Sequence, residues 1–318
     1  MIEAIVVSRR LEAEDIFSYE LARKDGEPLP SFAAGAHIDV EVRPGLIRQY
    51  SLCTAAKHPH RYLIGVLKDP GSRGGSQGMH DNVQEGSTLL ISEPRLLFPL
   101  ERSARRSLLF AGGIGITPIL SMAERLAQGS TDFTLHYCAR SQSRMAFRER
   151  LLDSSFACRT HLHFDDESDA QKLDAHKAIG APEADVHLYV CGPTGFMEYI
   201  IETARNLGWD EPHIHREYFS APQVTSPVQD DRFEVTIAST GQVFEIPAGV
   251  ACVQVLNEAG LNVPVSCEQG VCGTCVVRVL DGMPEHRDLF LTDAEHAKND
   301  QFTPCCSRSK SGSLLLDL

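Results

Sequence analysis

Three cysteines fall within nine residues of this 318-residue chain, in the segment Cys267-Glu268-Gln269-Gly270-Val271-Cys272-Gly273-Thr274-Cys275. The spacing is C-x4-C-x2-C, and 29 residues separate Cys275 from the next pair, Cys305 and Cys306. Thiols this close in one loop must converge, and the spacing is that of a plant-type [2Fe-2S] centre completed by a distant fourth cysteine. Two irons bridged by two sulfides need four thiolates in one small volume, and Gly270 and Gly273 allow the backbone to curl and turn its N–H groups towards the sulfurs. Structural zinc usually draws on two C-x2-C pairs, and buried free thiols require no spacing at all, so the iron–sulfur reading is preferred. Spacing alone leaves Cys305 and Cys306 both open as the fourth ligand.

So small a loop site occupies only part of the chain. A length of 318 residues exceeds what one hydrophobic core usually covers, and two or three domains are expected. Residues 1–103 read as short strands between Gly, Pro and Asp turns, with alternation in HIDVEV, which predicts a small antiparallel barrel. Over residues 104–221 strand and helix patterns alternate, the mark of a parallel α/β domain. Residues 222–230, rich in Pro, Ser and Gln, read as a linker. Residues 231–318 show a hairpin pattern at Thr240-Gly241, a short helix pattern, the cysteine loop and two further strands, an α+β unit.

No apolar run is long enough to span a membrane and the N-terminus lacks a signal-peptide pattern, so a cytoplasmic protein is expected. In that reducing compartment the ten cysteines point to metal rather than disulfides. A formal net charge of −13 argues against a nucleic-acid surface, which needs clustered Lys and Arg.

Two upstream constellations carry further chemistry. Arg48-Gln49-Tyr50-Ser51-Leu52 lies on a predicted strand, where a guanidinium can hold a phosphate while ring and hydroxyl face a flat heterocycle. Gly74-Gly75-Ser76 opens a short helix pattern whose N-terminal amides suit an anion. Alone, the first pattern is more often that of packing and edge residues, and the second is equally that of a flexible turn. Gly112-Gly113-Ile114-Gly115-Ile116-Thr117-Pro118 joins an apolar strand to a helix, as a dinucleotide pyrophosphate requires, although it is not G-x-G-x-x-G. Its partner, Cys191-Gly192-Pro193, ends another buried strand, where parallel sheets bind ligands.

In this order, with the cluster loop behind them, RxYSL, GGxGxTP and CGP make the whole chain resemble the phthalate dioxygenase reductase family. The resemblance implies a ferredoxin-reductase-like β-barrel flavin domain, an α/β nicotinamide domain and a C-terminal plant-type ferredoxin (β-grasp) domain. It implies FMN rather than FAD, held by Arg48, Tyr50, Ser51, Gly75 and Ser76, with Phe219 near the ring. It places Gly113, Gly115 and Thr117 at the pyrophosphate of NADH, with Cys191, Gly192 and Pro193 beside the nicotinamide. Ser51, Cys191 and Glu217 are implied as the residues at the hydride-transfer site. Cys267, Cys272, Cys275 and Cys305 are implied as the cluster ligands. NADH is favoured over NADPH by the same resemblance, although Arg140 and Arg144 lie where a 2′-phosphate would be read.

The implied function is NADH-dependent electron transfer through FMN and [2Fe-2S] to a Rieske-type aromatic oxygenase, a demethylase or hydroxylase, with a monomeric chain. Two alternatives compete: a reductase serving a cytochrome P450, and a non-catalytic redox-sensing module. The thirteen histidines are assigned no catalytic role, and Cys53, Cys138, Cys158 and Cys252 are expected to be structural. Residues 231–318 hold 12 acidic and 6 basic residues, which suits docking to a basic partner surface.

Overall fold

A computed structural model describes residues 1–55, 60–129, 131–219 and 231–318. The linker expected at 222–230 lies outside them. The chain divides into two compact units, Met1–Glu217 and Tyr218–Leu318.

The first unit begins with seven strands and one helix: β1 (Ile2–Ala13), β2 (Ile16–Arg23), β3 (Ala36–Arg43), β4 (Leu46–Ser51), β5 (Tyr62–Leu67), α1 (Gly75–Asn82), β6 (Thr88–Ile91) and β7 (Arg95–Leu96). Their sheet runs β4-β3-β6-β1-β2-β5 with every pairing antiparallel, and β7 pairs β3. A bridge between Leu52 and Ile64 joins the end of β4 to β5 and closes the sheet into a barrel. Closure removes both unpaired edges. Inside lie Ala4, Val6, Tyr19, Leu21, Ile38, Val40, Leu52, Ile64 and Met79, all essentially inaccessible to solvent. Each large apolar side chain so buried contributes about 1.5–3 kcal/mol.

The same unit continues with β8 (Arg106–Gly112), α2 (Ile116–Gln128), β9 (Asp132–Ala139), α3 (Arg148–Leu152), β10 (Thr160–Phe164), α4 (Ala175–Ile179), β11 (Val186–Cys191), α5 (Thr194–Asn206) and β12 (Ile214–Glu217). These strands form a parallel sheet in the order β10-β9-β8-β11-β12. Its central strands, LLFAG and VHLYVC, are almost continuously apolar because helices cover both faces. Helix α2 turns Ile116, Ile119, Leu120, Ala123 and Leu126 towards the sheet at helical spacing and ends at Gly129. The segment RMAFRERLLDSS yields only a five-residue helix, because Phe147 takes a left-handed conformation (φ 58°) just before it. The barrel and this sheet share one core, in which Ala13, Ile16, Cys53 and Leu63 of the barrel join Leu109, Ile119 and Tyr189. That shared core is why the two sheets form a single unit.

The second unit contains β13 (Phe233–Ile237), β14 (Val243–Ile246), α6 (Cys252–Glu258), β15 (Val277–Glu285), α7 (Asp293–Lys298), β16 (Gln301–Phe302) and β17 (Arg308–Leu316). The sheet order is β14-β13-β17-β15-β16, mixed because β13 and β17 run parallel. Arg308 pins the unit: its buried guanidinium donates to the carbonyls of Asp231, Pro247 and Val250 at 2.8–3.0 Å and lies 4.9 Å from the Phe233 ring centroid. No helix among the described residues is long and apolar enough to cross a membrane.

Candidate redox sites

Strand β4 and helix α1 bring the two expected phosphate elements together. A Cβ placed on Gly75 would lie 2.5 Å from Arg48 Cγ and 2.8 Å from Arg48 Nε, so the arginine side chain crosses directly over the start of α1. Gly74 enters the helix with φ 89°, and no side chain caps its first amides. A cation and a bare helix N-terminus at one point suit a phosphate. Ser76 is engaged otherwise: its Oγ accepts from the Asp69 N–H at 3.2 Å and so ties the preceding turn.

Next along β4, Gln49 Nε2 and Tyr50 Oη are buried and have no hydrogen-bond partner among the described residues. Burial raises the Tyr50 phenol well above its ordinary value, so it stays a donor. Thr54 Oγ1, just beyond the strand, is equally buried and unpaired among the described residues. Orphaned buried donors and acceptors cost about 1–3 kcal/mol each unless something meets them, which is what a flavin ring and its side chain would do. Sequence reading singled out neither Gln49 nor Thr54, and polar residues flanking the Tyr-Ser pair are the signal that could have found them.

Three distant segments meet at the end of β4. Ser51 Oγ donates to Glu217 Oε2 at 3.2 Å, and Glu217 is paired in register with Cys191 across β12 and β11. Burial pushes the Glu217 carboxyl up to about 8, partly offset by the Ser51 hydrogen bond. The Cys191 thiol is fully buried and raised well above its ordinary value, first by burial and then by the Glu217 charge. At neutral pH the three groups are therefore uncharged, a hydroxyl, a thiol and a carboxylic acid in contact with the barrel's strand end. Phe219 lies past this unit's last strand, 40% exposed.

The glycine turn divides into distinct tasks. A Cβ on Gly115 would lie 2.3 Å from Cys191 O, and one on Gly112 would lie 2.7 Å from the Phe196 ring. Gly192 likewise faces Phe196 at 2.8 Å and Gly112 Cα at 3.0 Å. These three glycines let two strand ends and the start of α5 interlock. Gly113 alone is turned outwards, with φ 52° and nothing within 4 Å of where a Cβ would sit. The Thr117 hydroxyl donates to Ile114 O at 3.1 Å and is buried, so it stiffens the turn from within. The amino end of α2 carries no side-chain cap and no acidic residue in its first turn, which leaves its amides to an anion. Pro193 provides the extended residue before α5.

In the second unit the cysteine loop uses left-handed backbone at Glu268, Gly270 and Gly273 (φ 55°, 73° and 67°). Side chains would collide at both glycines: a Cβ on Gly270 would lie 2.4 Å from Cys306 Sγ, and one on Gly273 2.2 Å from the Phe290 ring. The sulfur of Cys267 is within hydrogen-bonding reach of Cys272 and Cys305, and that of Cys275 within reach of Cys305. The Gln269 N–H points at Cys267 Sγ from 3.4 Å, and Thr274 Oγ1 lies 3.2 Å from Cys272 Sγ. Four converging thiols with amide and hydroxyl donors around them are the donor set an iron–sulfur cluster needs. Cys306 lies beside this set: its sulfur is within hydrogen-bonding reach of Cys305 and of Thr303 O, the latter at 3.8 Å, and it crowds Gly270. Asp288, unremarked in the sequence, braces this side: its carboxylate accepts from Leu291 N at 2.8 Å and from Thr303 Oγ1 at 3.2 Å.

Of the cysteines outside motifs, Cys53 and Cys252 are buried and Cys138 half-buried, whereas Cys158 is exposed and packs in no core. Several histidines pack on one another in the parallel sheet, with His136 and His163 3.0 Å apart and His187 and His215 2.9 Å apart.

Comparison with known proteins follows the same division. A family described as "2Fe-2S iron-sulfur cluster binding domain" matches residues 235–310, and one described as "Oxidoreductase NAD-binding domain" matches residues 109–202. The chain is 57% identical over 319 aligned positions to the vanillate O-demethylase oxidoreductase of Pseudomonas sp. (strain HR199 / DSM 7063), covering 100% of both chains. It is similar to the solved structure of phthalate dioxygenase reductase, described as carrying electrons from pyridine nucleotides to [2Fe-2S], with 36% identity, a TM-score of 0.77 and coverage of 100% of this chain and 98% of that one. An intact type IV self-sufficient cytochrome P450 monooxygenase matches with 34% identity and a TM-score of 0.86; this chain is covered fully but spans only 41% of that one.

Proposed function

This chain belongs to the phthalate dioxygenase reductase family, and on that premise we propose that it is an NADH-dependent reductase feeding a Rieske-type aromatic oxygenase, with a vanillate-demethylating oxygenase as the first acceptor to test. Residues 1–103 form the FMN domain, 104–221 the NADH domain, 222–230 the linker and 231–318 the ferredoxin domain in this reading. A flavin bound there would supply hydride acceptance from NADH and one-electron release, a two-electron to one-electron conversion towards the cluster and its external acceptor.

The observation that carries the reading is the junction of Ser51, Cys191 and Glu217, drawn from three distant segments into one uncharged polar site. Ser51 holds a proton at Oγ and is oriented by Glu217, so its hydroxyl can face the reacting ring atom. Cys191 and Gly192 bound the nicotinamide side with a neutral thiol and bare backbone. Arg48 and the amides of Gly75 and Ser76 would hold the flavin phosphate, and Tyr50 would bound the ring. Gly113, Gly115 and Thr117 shape the pyrophosphate turn, and Pro193 sets the neighbouring helix start. Cys267, Cys272, Cys275 and Cys305 hold the cluster, and Ser266, Glu268, Gln269 and Thr274 tune it.

The protein is assigned as a cytoplasmic monomer. The test is substrate-dependent NADH consumption by the purified chain with a vanillate-type Rieske oxygenase, against the same assay with a P450. Coupled turnover with the oxygenase alone supports the reading; turnover only with the P450 would replace it.

A further inference from the structure

The loop that leaves β9 is held by a carboxylate from the barrel of the same unit. Glu14, in the turn between β1 and β2, donates its backbone N–H to Ser143 O at 2.8 Å, and its side chain accepts from Ser143 Oγ at 3.4 Å and ion-pairs with Arg144. Both side chains of the pair are partly exposed, at 49% and 39%.

The position of this contact gives it meaning. Strand β9 lies beside β8, which carries the glycine turn, and Arg140 stands 27 positions after Gly113 at the carboxyl end of β9. In dinucleotide-binding sheets the residues there read the adenosine ribose: a carboxylate takes a free 2′-hydroxyl, whereas an arginine receives a 2′-phosphate. On the other side of the same loop, Asp165 and Asp166 donate their N–H groups to Ala139 O at 3.2 Å and Arg140 O at 3.1 Å, which sets two more carboxylates at the end of β10. A 2′-phosphate brings nearly two negative charges. It would meet Arg140 together with an Arg144 already paired with Glu14 and a rim of carboxylates.

We propose that Glu14 makes this reductase select NADH by holding Arg144 as an internal counter-ion, so that the ribose end of the nucleotide site repels a 2′-phosphate. The inference rests on the reading of the glycine turn as the nucleotide site. An exposed ion pair adds little to fold stability, so the charge of Glu14 acts chiefly through what it excludes. Glu14 is a specificity-determining residue that works through Arg144; its backbone contact with Ser143 survives any change of side chain.

The experiment uses the purified holoprotein and two probes, adenosine 2′,5′-bisphosphate and 5′-AMP, with affinities measured by calorimetry alongside NADH and NADPH turnover. Glu14→Gln should tighten the bisphosphate about fivefold, and Glu14→Lys about tenfold or more, while 5′-AMP affinity and NADH turnover stay within about twofold. Adding Arg144→Ala to Glu14→Gln should remove the gain, and added salt should shrink it. Unchanged bisphosphate affinity in both Glu14 variants overturns the proposal. Equal losses for both probes overturn it too, because Glu14 would then only hold the loop. Should the unaltered protein bind neither probe, the reading of the glycine turn itself fails, an outcome distinct from the other two.

Discussion

The cysteine loop and the junction proposed for hydride transfer solve the same problem, convergence of functional groups, by opposite means. Three of the four thiols proposed to hold the cluster lie within nine residues, so one loop with left-handed glycines assembles most of the site locally. The junction draws Ser51, Cys191 and Glu217 from β4, β11 and β12, and exists only when the barrel and the parallel sheet share a core. The local site is vulnerable to single ligands and single glycines. The assembled one is vulnerable to changes in charge and packing between segments.

The largest expected effect falls on the local site. Cys305→Ser should abolish normal cluster assembly, while Cys306→Ser should leave it intact, read as iron content and visible absorption of the purified proteins. The reverse result would exchange the fourth ligand and would place the convergence of sulfurs on the wrong neighbour.

The assembled site should respond through protonation. Glu217→Gln keeps a hydrogen-bond acceptor for Ser51 and removes the ionisable group, and Ser51→Ala removes the donor. Ser51→Ala should slow flavin reduction by NADH about 100-fold in stopped-flow traces, with cluster content unchanged. In the unaltered protein the rate should fall as pH rises through about 8 and the buried carboxyl ionises, and Glu217→Gln should flatten that fall. The sign for stability agrees. A carboxyl raised from its ordinary 4.5 favours the folded protein below that value and progressively loses its contribution as pH climbs to about 8. A rate profile with the same slope near pH 8 in both proteins would detach Glu217 from the chemistry.

The smallest effects separate two kinds of glycine. Gly273→Ala combines φ 67° with a ring 2.2 Å away and should cost about 1–3 kcal/mol, seen as a lower unfolding midpoint of the second unit. Gly113→Ala meets only the backbone penalty of φ 52°, about 1 kcal/mol, and should act on NADH KM more than on stability. Equal thermal shifts for the two would erase the distinction between a packed and an open turn.

Much of the fold could be read along the chain because its patterns are local. Alternation in HIDVEV became β3, the apolar runs before GGIG and CGP became the central parallel strands, and the Thr240-Gly241 turn joins β13 to β14. The segment RMAFRERLLDSS shrank to a single turn and a half of helix because tertiary packing holds Phe147 in a left-handed conformation. Ser76 pairs with the Asp69 backbone, a partner its own motif does not reveal. The glycines of GGIGITP follow the same pattern: their presence was legible, but which one faces open space and which ones clasp Cys191 and Phe196 was not.

What the sequence by itself determined is therefore what depends on spacing: the barrel, the nucleotide-type parallel sheet and the cysteine loop of an iron–sulfur domain, in that modular order. The tertiary structure alone decided that Arg48 crosses Gly75, that Ser51 meets Glu217, that Asp288 braces the loop around Cys306, and that Glu14 claims Arg144. The reason is physical. Ligands a few residues apart are brought together by backbone dihedrals that residue types announce, whereas groups on separate elements meet only through the register of strands and the packing of a shared core.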